Sequence, residues 1–257
     1  MFAYAMMPMK FFEKKTYDLI LKNNKNNQKQ LAVLLDPDKL ELSNIPEIVK
    51  EICNSGADYI FAGGSLMVKP GFEEKLSAIK KHSKKNVVIF PGSPLQLSQN
   101  ANSILLLSLI SGRNPDLLIG QHVIAAPFLK ASGLEIIPTG YILVDSGKST
   151  TASYISNTIP VPFDKSEVAA ITALAGEQMG LKCIYLDAGS GALKPISPEM
   201  ITATKENISV PLIVGGGIKT PEQAAQACAA GADIIVIGTA FEKDLTLVKN
   251  IAQAIQS

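Results

Sequence analysis

Three carboxylates in this chain stand where apolar runs stop. Leu31 to Leu35 leads into Asp36-Pro-Asp-Lys39, and Cys183 to Leu186 leads into Asp187-Ala-Gly-Ser-Gly191. A hydroxyl holds a similar place, since Tyr59 to Ala62 is followed by Gly63-Gly-Ser65. Two carboxylates and a hydroxyl, with no His or Cys clustered near them, make a donor set for a hard cation such as Mg²⁺. Helix capping through backbone N–H groups is the alternative role for Asp36 and, more strongly, for Asp38. Asp187 suits a general base acting on a substrate hydroxyl, or a tie that holds its own glycine loop. Tyr185 offers a donor to an anionic oxygen, or simply packs at a rim.

A second chemistry lies in the last fifth of the chain. Pro211-Leu-Ile-Val-Gly-Gly-Gly-Ile218 and Ile234-Ile-Val-Ile-Gly-Thr239 are short β-rich runs ending in glycine, with a helix-like segment, Thr220 to Ala230, between them. Glycine leaves backbone N–H groups open to close approach by an anionic oxygen, and a helix N-terminus nearby adds donors. The pair reads as a phosphate cradle; tight turns alone are the other reading.

These residues need a scaffold that gathers strand ends. From Leu31 onward the chain alternates strand and helix without a domain break. Predicted strands are Leu31–Leu35, Tyr59–Ala62, Val87–Phe90, Ser103–Leu107, Glu135–Val144, Cys183–Leu186 and the two glycine-ended runs. The spacing predicts helices over Ile45–Asn54, Gly71–Ser83, Pro115–Ala131, Lys165–Met179 and Lys243–Ile255. A short helical turn is expected after Pro94, and a bulge at Pro138 and Gly140. Asn23–Gln30 and Asp145–Thr158 read as polar loops, the Ser149–Ser153 cluster within the second being a lid or a solvated loop. The helical extension at about 10–22 precedes the barrel. Eight mostly apolar strands point to a parallel (β/α)8 barrel over 1–257, with its phosphate site after strands seven and eight. Catalytic residues in that fold lie at the strands' C-terminal ends, where Asp36, Ser65, Tyr185, Asp187, Ser190 and Thr239 fall.

Composition narrows the function. The chain has 257 residues, 47% apolar and 18% charged, with a formal charge of +1, which gives no reason to expect nucleic acid as a partner. Arg is nearly absent, so backbone amides and a metal would have to hold anionic groups. Cys53, Cys183 and Cys228 are widely spaced and read as buried small apolar residues of a reducing compartment. No segment has the order of a signal peptide or the length of a membrane span, which places the protein in the cytoplasm. His82 and His122 lie on helices away from strand ends, so His-based catalysis is not expected.

Leu35-Asp-Pro-Asp-Lys39, Gly63-Gly-Ser65, Phe90-Pro-Gly-Ser93, Tyr185-Leu-Asp-Ala-Gly-Ser-Gly-Ala192, Val214-Gly-Gly-Gly-Ile218 and Gly238-Thr239 together resemble the geranylgeranylglyceryl phosphate synthase family, which includes the bacterial heptaprenylglyceryl phosphate synthases. Gly140-Tyr-Ile-Leu-Val-Asp-Ser-Gly147 is similar to the second of its two groups. Position 187 departs from the family's usual Glu, leaving a carboxylate one methylene shorter. The resemblance implies transfer of a polyprenyl group, geranylgeranyl being the expected donor, from its diphosphate to the 3-hydroxyl of sn-glycerol 1-phosphate. It implies Mg²⁺ held by Asp36 and Ser65, with Asp187 and Tyr185 catalytic. It also implies glycerol phosphate held by Tyr185, Leu186, Asp187, Ala188, Gly189, Ser190, Gly191, Gly216, Gly217, Gly238 and Thr239. Pro91–Leu97 and Ile104–Ile110 are apolar enough to line a prenyl groove. Dimers or hexamers are implied, with Tyr141 as a candidate interface anchor and product release at a membrane surface. The alternatives are an isomerase or epimerase of a phosphorylated small molecule and a non-catalytic phosphate-ligand barrel.

Overall fold

Eight short parallel strands are hydrogen-bonded in sequence order, and the last pairs with the first. The computed structural model describes residues 16–93, 96–238 and 246–256. The strands are β1 (Gln30–Leu35), β2 (Tyr59–Ala62), β3 (Asn86–Ile89), β4 (Ser103–Leu109), β5 (Glu135–Leu143), β6 (Cys183–Asp187), β7 (Leu212–Gly215) and β8 (Ile234–Ile237). This is the expected (β/α)8 barrel. Helices α1 (Thr16–Lys25), α2 (Ile45–Asn54), α3 (Phe72–His82), α4 (Gln121–Ser132), α5 (Thr151–Ser156), α6 (Ser166–Gln178), α7 (Pro198–Asn207), α8 (Pro221–Ala229) and α9 (Thr246–Ala254) complete the described elements, together with a 3-10 turn, Pro37–Lys39, and a π-turn, Asp116–Gly120.

Strand side chains alternate, and the alternation sorts them into two cores. Ala32, Phe61, Val88, Leu105, Ile137, Tyr185, Ile213 and Val236 fill the barrel interior. Leu31, Val33, Ile60, Ile104, Ile184, Leu212 and Ile235 face the helical shell. Asp187 and Gly215 continue the inward parity of Tyr185 and Ile213, so the strand-end chemistry opens into the barrel mouth. The opposite end is closed by α1, whose Ile20 joins the interior core. The carboxylate of Glu135 accepts the Thr16 and Tyr17 N–H groups at 2.8 and 3.2 Å, and the Tyr17 hydroxyl donates to the Lys182 carbonyl at 3.1 Å.

Several local expectations change. The segment Asn23–Gln30 is not a surface loop throughout, because α1 runs to Lys25 and Gln30 is a fully buried residue of β1. Its amide carbonyl accepts the Tyr59 hydroxyl at 2.6 Å, a partner supplied by the neighbouring strand β2. No bulge interrupts β5, where Pro138 and Gly140 stay in register with Leu106 and Ser108 of β4. Gly140 serves packing instead, since a Cβ there would lie 2.8 Å from the tips of both Ile110 and Ile184. The helix expected over Pro115–Ala131 is broken into a π-turn, Asp116–Gly120, and α4. The Asp116 carboxylate sits against Gly120, where a Cβ would approach it to 2.7 Å. Asp145–Thr158 contains α5, started by a capping box between Thr150 and Ser153. The turn expected after Pro94 begins on residues outside those described, and 96–102 carry turns without a helix. The first part of the extension at about 10–22 also lies outside the described residues. Of the cysteines, Cys183 and Cys228 are buried and Cys53 is half-buried. Among the described residues no helix is long and apolar enough to cross a membrane.

Replacing Glu135 with Ala strips two N–H groups at the start of α1 of their acceptor. Denaturant unfolding should show a loss of about 1–3 kcal/mol, with the slope of the transition unchanged.

Candidate active site

The mouth of the barrel is built from the loops after β1, β2, β3, β5, β6 and β7. After β1, Asp36 caps the 3-10 turn, its Oδ1 accepting the Asp38 N–H at 3.0 Å. Its other oxygen lies 3.7 Å from the Lys39 ammonium. Gly64 faces this carboxylate closely, since a Cβ on it would stand 3.4 Å from Asp36 Oδ1. The structure therefore brings the β2 loop, with Ser65 next in line, onto Asp36. Asp38 turns elsewhere and accepts the Val68 and Lys69 N–H groups at 2.6 and 3.2 Å. Gln96, which sequence reading passed over, joins the loops after β2 and β3. It donates to the Gly64 carbonyl at 3.2 Å and accepts the Gly92 N–H at 3.0 Å. A Cβ on Gly92 would meet the Gly64 carbonyl at 2.2 Å, and one on Gly63 would meet the Phe90 carbonyl at 1.9 Å, so these glycines allow the two loops to touch.

Asp187 is buried, and both of its oxygens are engaged. Oδ1 accepts the Gly189 N–H at 2.7 Å, and Oδ2 accepts the Tyr141 hydroxyl at 2.5 Å. Burial raises the carboxyl above its usual range, while these two hydrogen bonds pull it back down. The phenols of Tyr141 and Tyr185 are both raised, first by burial and then by the Asp187 charge. Tyr141 is thus an inward-facing partner of Asp187 and not an interface anchor; its parity on β5 matches that of Ile137, and it packs against the interior core. Its ring meets Tyr185 edge-on at 5.5 Å and Phe90 at 6.0 Å, with Phe90 and Tyr185 at 5.3 Å. Counting β5 inward from Ile137 in twos would have found Tyr141; the neighbouring Pro and Gly hid that register.

The remaining predicted residues divide by side. Gly216 and Gly217 have φ of 81° and 75°, and a Cβ on Gly216 would lie 2.7 Å from Asp187 Oδ1 and 2.6 Å from the Gly189 nitrogen. The glycine loop after β7 therefore lies directly on the Asp187–Gly191 loop. Tyr185 is buried, and its hydroxyl is packed against Gly215, where a Cβ would be 2.4 Å away. Leu186 and Ala188 point into the outer core, and the Ala188 N–H is taken by the Gly215 carbonyl at 3.1 Å, so neither presents a side chain to the mouth. Ser190 and Gly191 are exposed, and Gly191 stands with the Lys148 ammonium 3.5 Å from its would-be Cβ. Lys148 supplies a cation beside the glycines that the scarcity of Arg had argued against. Gly238 ends β8 at the mouth, and Thr239 lies outside the described residues.

A cavity of about 380 Å³ leads away from this mouth. It starts at Ser65 and Tyr141, passes Phe90 and Leu107 of the interior, and continues past Leu106 and Leu129 between β4 and α4. Ala152 and Ile155 of α5 also line it, so the Ser149–Ser153 cluster belongs to a capped helix over the cavity. Thr150 packs on Gly189, which joins α5 to the Asp187 loop as well. His122 lines the cavity from α4 with Nε2 3.1 Å from Ser108 Oγ, and burial lowers its pKa toward the neutral ring.

Among the described residues no three His, Cys, Asp or Glu side chains gather in a metal-ligating group. Asp36 and Ser65 nonetheless suit Mg²⁺, which commonly takes one or two protein oxygens and completes its shell with water and substrate phosphates.

Removing the Tyr141 hydroxyl deletes a bond that favours the charged form of Asp187 and leaves burial, which favours the neutral acid. In Tyr141→Phe, a carbon-13 carboxyl titration should therefore place the Asp187 pKa above that of the unaltered protein. An unchanged or lower value would remove Tyr141 from the control of this carboxylate.

The PcrB family matches residues 24–255. A geranylgeranylglyceryl phosphate synthase of Spirosoma linguale is 52% identical over 231 residues, covering 90% of this chain and 93% of the relative. One from Chitinophaga pinensis is 49% identical over 243 residues, covering 95% and 96%. The crystal structure of (S)-3-O-geranylgeranylglyceryl phosphate synthase from Thermoplasma acidophilum, in complex with its substrate sn-glycerol-1-phosphate, matches with a TM-score of 0.89 at 32% identity and covers 95% of this chain and 99% of that one. The chain belongs to the PcrB family, in company with the geranylgeranylglyceryl phosphate synthases that it matches along most of its length.

Proposed function

We propose that this protein is a Mg²⁺-dependent prenyltransferase that joins geranylgeranyl diphosphate to the 3-hydroxyl of sn-glycerol 1-phosphate. The observation that carries the reading is a buried carboxylate, Asp187, shared between a glycine-lined anion site and the end of an apolar cavity. The Tyr141 hydroxyl on Asp187 belongs to a side chain that also lines the cavity, so the two compartments meet at one hydrogen bond. Membership of the family favours this reaction over the isomerase and passive-binder alternatives.

The residues divide the work as follows. Backbone groups of Ser190, Gly191, Gly216, Gly217, Gly238 and Thr239, with Lys148 nearby, hold the phosphate of the glycerol substrate, while Gly189 gives its N–H to Asp187. The cavity wall of Leu106, Leu107 and Leu129 takes the prenyl chain, and Asp36 and Ser65 would hold Mg²⁺ for the diphosphate. Mg²⁺ bound there would supply neutralisation of the negative charge on the leaving diphosphate. The glycerol oxygen forms a bond to the first prenyl carbon while the bond from that carbon to the diphosphate breaks, and the electron pair departs with the diphosphate. Asp187 accepts the hydroxyl proton, and the raised carboxyl pKa brings its basicity closer to neutral pH. Phe90, Tyr141 and Tyr185 present ring surfaces to positive charge developing on the allylic carbon.

The same reading includes homo-oligomers in the cytoplasm, with product released at a membrane surface. Support for association is an outward face of α4 and the turn before it, where Ile119, Val123 and Phe128 are 60%, 65% and 64% exposed.

A product assay tests the reaction. With Mg²⁺ and geranylgeranyl diphosphate, ether product should form from sn-glycerol 1-phosphate and not from the 3-phosphate; no product from the 1-phosphate with any prenyl diphosphate would overturn the reading. Asp187→Asn should lower kcat by about 10²–10⁴-fold with the glycerol phosphate KM nearly unchanged. Asp36→Ala should abolish Mg²⁺-dependent turnover while leaving glycerol phosphate binding intact.

A further inference from the structure

We propose that Asp38 and Lys75 are positioning residues that set the distance between Asp36 and Ser65, and so shape the diphosphate end of the site. This inference rests on the reading of Asp36 and Ser65 as the magnesium donors. The two donors come from different loops, and little apolar packing joins those loops. In the segment that follows Ser65, Leu66 is 50% and Val68 74% exposed. What fixes this segment is polar. Asp38, only 9% exposed, receives the Val68 N–H at 2.6 Å and the Lys69 N–H at 3.2 Å. Two backbone donors on one buried carboxylate form a charge-assisted clamp.

Lys75 completes the clamp from the far side of the loop. It lies on α3, directly downstream of the same segment, and is also 9% exposed. Its ammonium donates to the Pro37 carbonyl at 2.7 Å. One buried charge therefore reaches from the 3-10 turn to the β2 loop, and a second reaches back from α3 to the turn. Asp36 caps that turn through the Asp38 N–H, so any movement of Asp38 is passed to the Asp36 carboxylate. Neither Asp38 nor Lys75 is placed to touch the substrate phosphate near Asp187. Loss of such supporting partners costs about 10–100-fold in the affinity of the group they orient.

The test measures binding of pyrophosphate with Mg²⁺ by calorimetry, in parallel with binding of sn-glycerol 1-phosphate, on the full chain. Asp38→Asn and Lys75→Met should each weaken Mg²⁺–pyrophosphate binding by about tenfold or more and leave glycerol phosphate affinity within about twofold. Lys75→Met keeps the apolar stem and removes only the ammonium, so it guards against loss of fold. Equal weakening of both ligands would mean a general structural role and would overturn the proposal. Hydrogen exchange on the unaltered protein supplies a check without variants, because the Val68 and Lys69 amides should be protected in an otherwise exposed loop. Free exchange at these amides would overturn the clamp. Asp36→Ala separates the two levels. If it leaves Mg²⁺–pyrophosphate affinity unchanged, the magnesium reading itself falls; if it lowers affinity while Asp38→Asn and Lys75→Met do not, only the clamp falls.

Discussion

Closure of the parallel ladder is the constraint on which everything else depends. Once β8 pairs with β1, the sheet has no free edge strand, and each side chain must face either the interior or the helical shell. That parity decides which strand-end residues meet. Asp187, Tyr141 and Tyr185 come together because β5 and β6 pair Tyr141 with Tyr185 and Leu143 with Asp187. Leu186 and Ala188, adjacent in sequence to the same carboxylate, are sent to the other core.

Glycine then allows loops from different strands to touch. The β2 and β3 loops interlock because Gly63 and Gly92 leave room for carbonyls that a Cβ would strike. The β6 and β7 loops do the same through Gly216, which at φ 81° also needs a conformation that side chains disfavour. These are two separate glycine contacts, one on the Asp36 side of the mouth and one on the Asp187 side. Between them lie the three aromatic rings of Phe90, Tyr141 and Tyr185.

Burial sets the electrostatics of the Asp187 side. A carboxylate inside a barrel is costly, and here the cost is offset by one backbone N–H and one phenol. The balance leaves its pKa raised while keeping its direction fixed, a state that suits the proton-accepting role proposed for it. The Asp36 side works differently. Asp36 remains partly exposed, and the fixed charges nearby, Asp38 and Lys75, are spent on backbone groups that hold the loops.

The sequence by itself determined the fold class, because eight apolar runs ending in polar or glycine residues fit one architecture well. Ile45–Asn54 and Tyr59–Ala62 have the bounds their periodicity predicts. It also placed Asp36, Ser65, Asp187 and the glycines at or just past strand ends, since these are recognisable wherever an apolar run stops. Tertiary structure alone decided the partners. The Gln30–Tyr59 bond, the Gln96 tie between two loops and the Lys75 bond to Pro37 join residues far apart in the chain, and no local pattern encodes them. The alternation along β5 turns Tyr141 inward, but its meeting with Asp187 comes from the β5–β6 register. Local pattern reports what a residue is and roughly where its element ends, while inward or outward direction is fixed only when the barrel closes.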